Sequence, residues 1–302
     1  MTADRPLLGI FLMLGFCLMA PLGDALAKII GQTVPLGILL LARFAMQALL
    51  LFPLIALTNR AFRFEGSILR LAWLRTVLHI IGIAAMFTAL RYLPLADAVA
   101  IAFVMPFLML ILGHYVLGEE IGARRIIACA VGFIGTLLVI QPAFENVGWP
   151  ALLPLIVAVV FSLFMLVTRQ IAKETDPISL QGVNGVMAVV LLLPILLIFS
   201  QTDIAIFELK APQPSEVAML LAIGVIGTLA HLLMTWSLRY APSATLAPMQ
   251  YLEIPFATFI GWLVFAELPN TLASLGIAIT ISAGLYIVIR ERATSRVAPQ
   301  VP

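Results

Sequence analysis

The chain has 302 residues, of which 63% are hydrophobic and only 11% charged, and its mean hydropathy is +1.13. Soluble domains carry roughly 25% charged residues, so water is excluded as the solvent for most of this surface. The formal net charge of +2 selects no partner, and no nucleic-acid partner is expected; what informs is where the charges sit.

In chain order, the sequence divides into ten apolar stretches, most of them near the ~20 residues that cross a bilayer at 1.5 Å per residue. They cover residues 7–30, 34–57, 71–90, 95–117, 126–140, 151–171, 178–199, 217–238, 244–266 and 272–289, the fifth being short. Apolar residues run on without period-two alternation, which predicts helices and not a barrel. The first run is too long for the core of a cleaved leader and is expected to remain as the first span. The longest polar stretches, residues 58–67 and 200–215, leave no room for a soluble domain. Cys17 and Cys129 both fall in apolar runs, so no disulfide framework is expected.

Positive charges set an orientation. With the N-terminus in the cytoplasm, thirteen fall on the inner side: Arg5, Arg60, Arg63, Arg70, Arg75, Arg124, Arg125, Arg169, Lys173, Arg239, Arg290, Arg292 and Arg296. Only Lys28, Arg43, Arg91 and Lys210 belong to the outer side or outer half. Both termini are therefore expected in the cytoplasm, with the chain integral to the inner (plasma) membrane.

The segment Leu90-Arg91-Tyr92-Leu93-Pro94 returns as Leu238-Arg239-Tyr240-Ala241-Pro242, at an offset of 239 − 91 = 148 residues. The same offset carries Gly113 onto Gly261 and Glu119 onto Glu267. Five spans per half would put Arg91 outside and Arg239 inside, so the halves are expected to be inverted relative to each other. The expected fold is an all-α integral membrane domain over residues 1–302. Repeats of five helices, residues 1–145 and 146–302, would surround a central cavity. Secondary transporters with this arrangement hold substrate near the midplane between the repeats.

Several motifs resemble the EamA-type, ten-helix branch of the drug/metabolite transporter superfamily. They are Asp24-Ala-Leu-Ala-Lys28, Arg43, Leu90-Arg-Tyr-x-Pro94, Tyr251-Leu-Glu-Ile-Pro255 and Phe265-Ala-Glu267. The resemblance spans nearly the whole chain and is specific for fold and transport class rather than substrate. It implies a cavity lined by spans 1–4 and 6–9, with spans 5 and 10 packed to one side.

Asp24, Lys28 and Arg43 are the first polar candidates. Asp24 and Lys28 lie one turn apart on one helix face, and Arg43 reaches a similar depth in the next span. Charges near a helix centre cost at least ~2.5–3.5 kcal/mol unless paired or wetted, so they should face the interior. They read either as an outer gate and substrate-charge site or as a structural Asp24–Arg43 pair, with Lys28 free to snorkel outward. In the second half Lys173 matches Lys28, and Asn184 falls about where Arg43 maps.

His79 and His231 occupy equivalent helices near mid-bilayer, where imidazole can bond substrate, relay a proton or tie helices together. Glu253 lies about 14 Å up the ninth span, with Gln250 broadly on its side and Pro255 two residues beyond. A carboxyl there can carry a coupling proton or bond a neighbouring helix. Trp236, Tyr251, Phe103 and Phe107 could form an aromatic wall or ordinary helix packing. Asp97 reads as solvated or paired with Arg91. Arg91, Pro94, Glu119, Arg239, Pro242 and Glu267 read as structural elements of the repeat. Gly132, Gly135, Gly276 and Gly284 suit close helix contact.

No catalytic motif, phosphate-cradling loop or Cys/His metal set occurs, so no enzyme activity, cofactor or metal is expected. The expected function is secondary transport of a small organic metabolite by alternating access, with membrane lipid as surroundings. Both charge signs beside aromatic residues favour an amphipathic zwitterion such as an amino acid, with export preferred. An importer of a vitamin or nucleotide-derived metabolite is the alternative; an intramembrane enzyme or a scaffold subunit fits the deep charges less well.

Overall fold

The computed structural model describes residues 5–118 and 122–295, which form helices and turns with no strand among the described residues. Twelve α-helices follow one another: α1 (Pro6–Ile30), α2 (Leu36–Leu57), α3 (Gly66–Ala89), α4 (Leu95–Ala102), α5 (Met105–Leu117) and α6 (Ala123–Val147). Then come α7 (Leu153–Ala172), α8 (Pro177–Phe199), α9 (Pro214–Tyr240), α10 (Ser243–Gln250), α11 (Glu253–Phe265) and α12 (Thr271–Ser295). Prolines open α1, α7, α8 and α9, where a missing N–H costs no helical hydrogen bond. Asp176 caps α8 by accepting from the Ser179 amide at 3.0 Å.

Eight helical stretches among the described residues are long and apolar enough to cross a membrane, with Leu95–Leu117 taken through its interruption. The chain is an integral membrane protein. Two expected spans differ from the simple picture. The fourth is broken at Phe103–Val104 and the ninth at Tyr251–Leu252, each into an eight-residue and a thirteen-residue helix. Pro106 supplies no N–H to the carbonyl of Ala102, and Pro255 none to that of Tyr251. Tighter turns take over there, with Phe103 N bonding Ala100 O at 3.2 Å and Leu252 N bonding Met249 O at 3.1 Å. The fifth span runs longer than its apolar core, through Val147.

The 148-residue offset holds for helix bounds: α4 maps on α10 (243 − 95 = 148), α5 on α11, α6 on α12, and the start of α3 on that of α9. Pro94 and Pro242 precede their short helices with nearly equal backbone angles. Gly118 and Ala266 end α5 and α11 in the left-handed region, at φ 66° and 55°. Glu119 lies outside the described residues.

In lipid, helices associate by close packing and hydrogen bonds rather than by hiding apolar surface. The pairs chosen are α1 with α9, α2 with α8, α3 with α7 and α6 with α12, while α4 crosses α11 and α5 crosses α10. At one end of the bundle, Lys28 Nζ donates to both carboxylate oxygens of Glu267 at 2.6 Å and to Leu93 O at 2.9 Å. Glu267 also accepts from the Leu95 amide at 3.3 Å, and Arg91 donates to Val34 O at 3.3 Å. At the opposite end Arg239 donates to Thr175 O at 2.7 Å, Arg169 to Leu238 O at 2.6 Å, and Arg60 pairs with Asp176 at 2.6 Å.

Lys28 therefore does not snorkel; it fastens α1 to the ends of α3 and α11. The pair is partly exposed, at 12% and 31%, which places it between exposed ion pairs and buried ones. Glu267→Gln is expected to cost about 1–2 kcal/mol. Thermal unfolding in detergent would register this as a lowered midpoint; an unchanged midpoint would mean the pair is only ornamental.

Candidate functional site

Between the middle of the bundle and the Lys28 end lies a cavity of about 730 Å³, counted out to its mouth. Its walls come from α1, α2, α3, α4, α5, α7, α9 and α11, with Phe103 at the break. Helices α6 and α12 pair with each other and contribute nothing, and neither does α8. The lining is mostly apolar: Phe16, Phe87, Phe103 and Phe161, with Met19, Met86 and Met105. Phe16 and Phe161 stack at 6.3 Å, presenting ring faces and edges to a flat or apolar guest.

Four polar side chains reach this cavity: Asp24, Arg43, His231 and Glu253. Each follows from local structure. Asp24 lies in the last third of α1, on the side that avoids lipid. Arg43 lies two turns into α2 and lies against Gly227 of α9, where any side chain would meet the guanidinium. Its Nη2 lies 3.0 Å from His231 Nδ1, which also faces Gly227 O at 3.0 Å. Arg43 Nη1 and His231 Nε2 are buried without a hydrogen-bond partner among the described residues. Glu253 is the first residue of α11, delivered to the cavity by the break before it.

Asp24 and Arg43 share the cavity but make no ion pair within 4 Å among the described residues, which corrects the structural-pair expectation. The reason is topological. The short connection suggests that α1 and α2 are neighbours, yet α1 packs on α9 and α2 on α8 and α9.

The other candidates lie elsewhere. His79 is fully buried below His231, the rings 4.3 Å apart, with Nδ1 2.9 Å from Asn184 Oδ1. Asn184 also donates to Thr76 at 2.7 Å and accepts from Gln47 at 3.2 Å. Gln250 lies among sulfur atoms, its amide 3.0 Å from Met165 Sδ. Tyr251 packs on Phe103 at 5.5 Å and faces Gly132 of α6, so it is no cavity wall. Trp236 packs against the Leu51, Ile55, Ile178 and Leu232 cluster, and Phe107 stacks on Phe133. Lys173 is exposed at the Arg239 end.

Arg75 is the residue the sequence reading misplaced. Taken as an interfacial charge, it is instead completely buried. The apolar run begins at Leu71, but α3 begins at Gly66, which sinks Arg75 about 14 Å into the helix. The amphipathic turn before Leu71 was the available signal. Its Nε donates to Thr168 at 2.8 Å, and its Nη2 donates to Gln181 at 2.7 Å and Thr235 at 3.3 Å. Gln47 joins the same layer by donating to Gln181 O at 2.7 Å. This layer fills the half of the bundle toward the Arg239 end, where the cavity does not reach.

A solved crystal structure aligns over 94% of this chain and 98% of its own with a TM-score of 0.68 and 15% identity, which establishes a shared fold. A riboflavin transporter of Rhizobium johnstonii is 29% identical over 223 residues, covering 74% of this chain and 71% of that protein. An S-adenosylmethionine uptake transporter of Rickettsia prowazekii is 22% identical over 272 residues, 90% of this chain and 89% of that one. A pseudopaline exporter of Pseudomonas aeruginosa is 27% identical over 274 residues, 90% of each. Residues 7–141 and 148–290 each match the EamA-like transporter family. Two successive matches over most of the chain decide the matter, and the chain belongs to that family.

Proposed function

We propose that the protein is a secondary carrier of a small organic metabolite, built as ten spans in two inverted repeats of residues 1–145 and 146–302. Both termini lie in the cytoplasm, and the cavity faces the outside. One observation carries this reading: a cavity with Asp24, Arg43, His231 and Glu253 at one end, closed toward the other by the buried Arg75 layer. Such asymmetry is what one state of an alternating-access carrier requires. Inversion is supported by the repeated Arg91 and Arg239 bonding at opposite ends of the bundle.

The substrate has an aromatic or apolar body and a polar portion. Four phenylalanines and three methionines on the wall suit a ring-bearing compound, in keeping with relatives named for riboflavin and S-adenosylmethionine. An amino-acid-like zwitterion is the second reading, favoured by Asp24 and Arg43 offering both signs in one cavity. Direction follows from the gradient and the coupling, not from these residues.

Counterflow in proteoliposomes tests this. Labelled riboflavin, S-adenosylmethionine and tryptophan are each expected to show either saturable exchange or none, with at least one exchanging. Flux no greater than in empty liposomes for all three, from protein that unfolds cooperatively, would defeat the metabolite reading. In the same preparation, Tyr92→Cys and Tyr240→Cys should react with an impermeant maleimide from opposite faces; reaction from one face alone would defeat the inversion.

A further inference from the structure

We infer that Arg75 is a second anion-binding station on the translocation path, which takes over a carboxylate, phosphate or similar acceptor group from Arg43 when the opposite end opens. This rests on the alternating-access reading above.

Arg75 makes no ion pair with a carboxylate among the described residues. Its hydrogen-bond partners are the neutral Thr168, Gln181 and Thr235, and the guanidinium lies 4.5 Å from the Phe164 ring centre. Its Nη1 is buried with no hydrogen-bond partner among the described residues. Intramembrane charges of this kind are costly and tend to mark ion or substrate routes. A neutral residue would join α3 to α7, α8 and α9 without the cost of burying a charge.

A chain of ring contacts joins the two guanidinium groups. Arg43 bonds His231 at 3.0 Å, the His231 and His79 rings lie 4.3 Å apart at 35°, those of His79 and Phe164 4.7 Å apart at 37°, and Phe164 lies 4.5 Å from Arg75. These contacts run from the cavity floor into the closed half. Both guanidinium groups keep one buried nitrogen free, so each can offer a further donor to the same kind of group. An anionic or acceptor group leaving Arg43 would find a charged donor again at Arg75.

The test is charge-selective accessibility and needs no identified substrate. Thr235→Cys places a thiol beside Arg75 at its longest hydrogen bond and leaves the two shorter ones intact. Membrane vesicles of both orientations are treated with an anionic (sulfonatoethyl) or a cationic (trimethylammonium-ethyl) methanethiosulfonate, and peptides are read by mass spectrometry. Reaction from the Arg239 end is expected to be about tenfold faster with the anionic reagent, because a nearby cation concentrates anions. The preference should persist with Arg75→Lys and vanish with Arg75→Gln.

Equal rates for the two reagents would overturn the anion station while leaving alternating access intact. No reaction from the Arg239 end, with Gly23→Cys in the cavity reacting from the Lys28 end, would overturn both. If Arg75→Gln does not fold, the Arg75→Lys comparison with the Thr235→Cys parent still decides. A preference for the cationic reagent in either would sink the proposal.

Discussion

Arg43→Ala is expected to lower saturable flux by about 100-fold, the largest functional loss of any single substitution in the cavity. A charged hydrogen bond to substrate is worth about 1.5–3 kcal/mol, and every 1.4 kcal/mol is tenfold. No other cation can substitute, because Lys28 is engaged with Glu267 and Arg75 lies outside the cavity. Removing Arg43 also leaves Asp24 and Glu253 facing a cavity without a positive charge. Arg43→Lys keeps the charge but loses the fork that bonds His231, so a loss of about tenfold is expected. Glu253→Gln, which keeps shape and removes the ionisable proton, should make flux insensitive to an imposed pH gradient. Proteoliposome uptake with and without a gradient measures both. Flux within twofold of the parent for Arg43→Ala and Glu253→Gln alike would remove these residues from the site while leaving the fold intact.

Gly185→Val is expected to destabilise the bundle by about 3–5 kcal/mol through the contact of α2 with α8. A Cβ at Gly185 would sit 2.9 Å from Ala48 N and 3.1 Å from Phe44 O, both backbone atoms of α2 that cannot rotate away. Helices α2 and α8 must then separate. Overpacking of this kind costs about 1–3 kcal/mol. Separation also breaks the Gln47 bonds to Gln181 O and Asn184, at about 0.5–1.5 kcal/mol each. The control is Val186→Leu on the same helix, whose side chain is 37% exposed and faces outward. Size-exclusion profiles after graded heating should show early aggregation for Gly185→Val and none for the control. Equal behaviour would mean that the α2–α8 contact tolerates a shift.

The polar candidates divide instructively. Asp24, Arg43, His231 and Glu253 were all recognisable as deep polar residues in apolar runs, and all four reach the cavity. Gln250, Tyr251, Trp236 and Asn184 satisfied the same rule and are packed elsewhere. Depth can be counted along a helix, but facing depends on which helix lies alongside, and lipid leaves that choice to small residues and hydrogen bonds. Arg75 went astray for a different reason. Hydropathy marks where a run becomes apolar, whereas α3 starts at Gly66 and carries a charged turn inward.

From residues alone came the membrane as solvent, the helical character of the runs, and the duplication at an offset of 148, because apolar length, periodicity and repetition are properties of one strand of sequence. The helix breaks at Phe103–Val104 and Tyr251–Leu252, the Lys28–Glu267 tie, the cavity and the Arg75 layer were settled only by the packed bundle. Each depends on contacts between helices far apart in the chain, such as α1 with α9 and α3 with α7, and no local pattern encodes those distances.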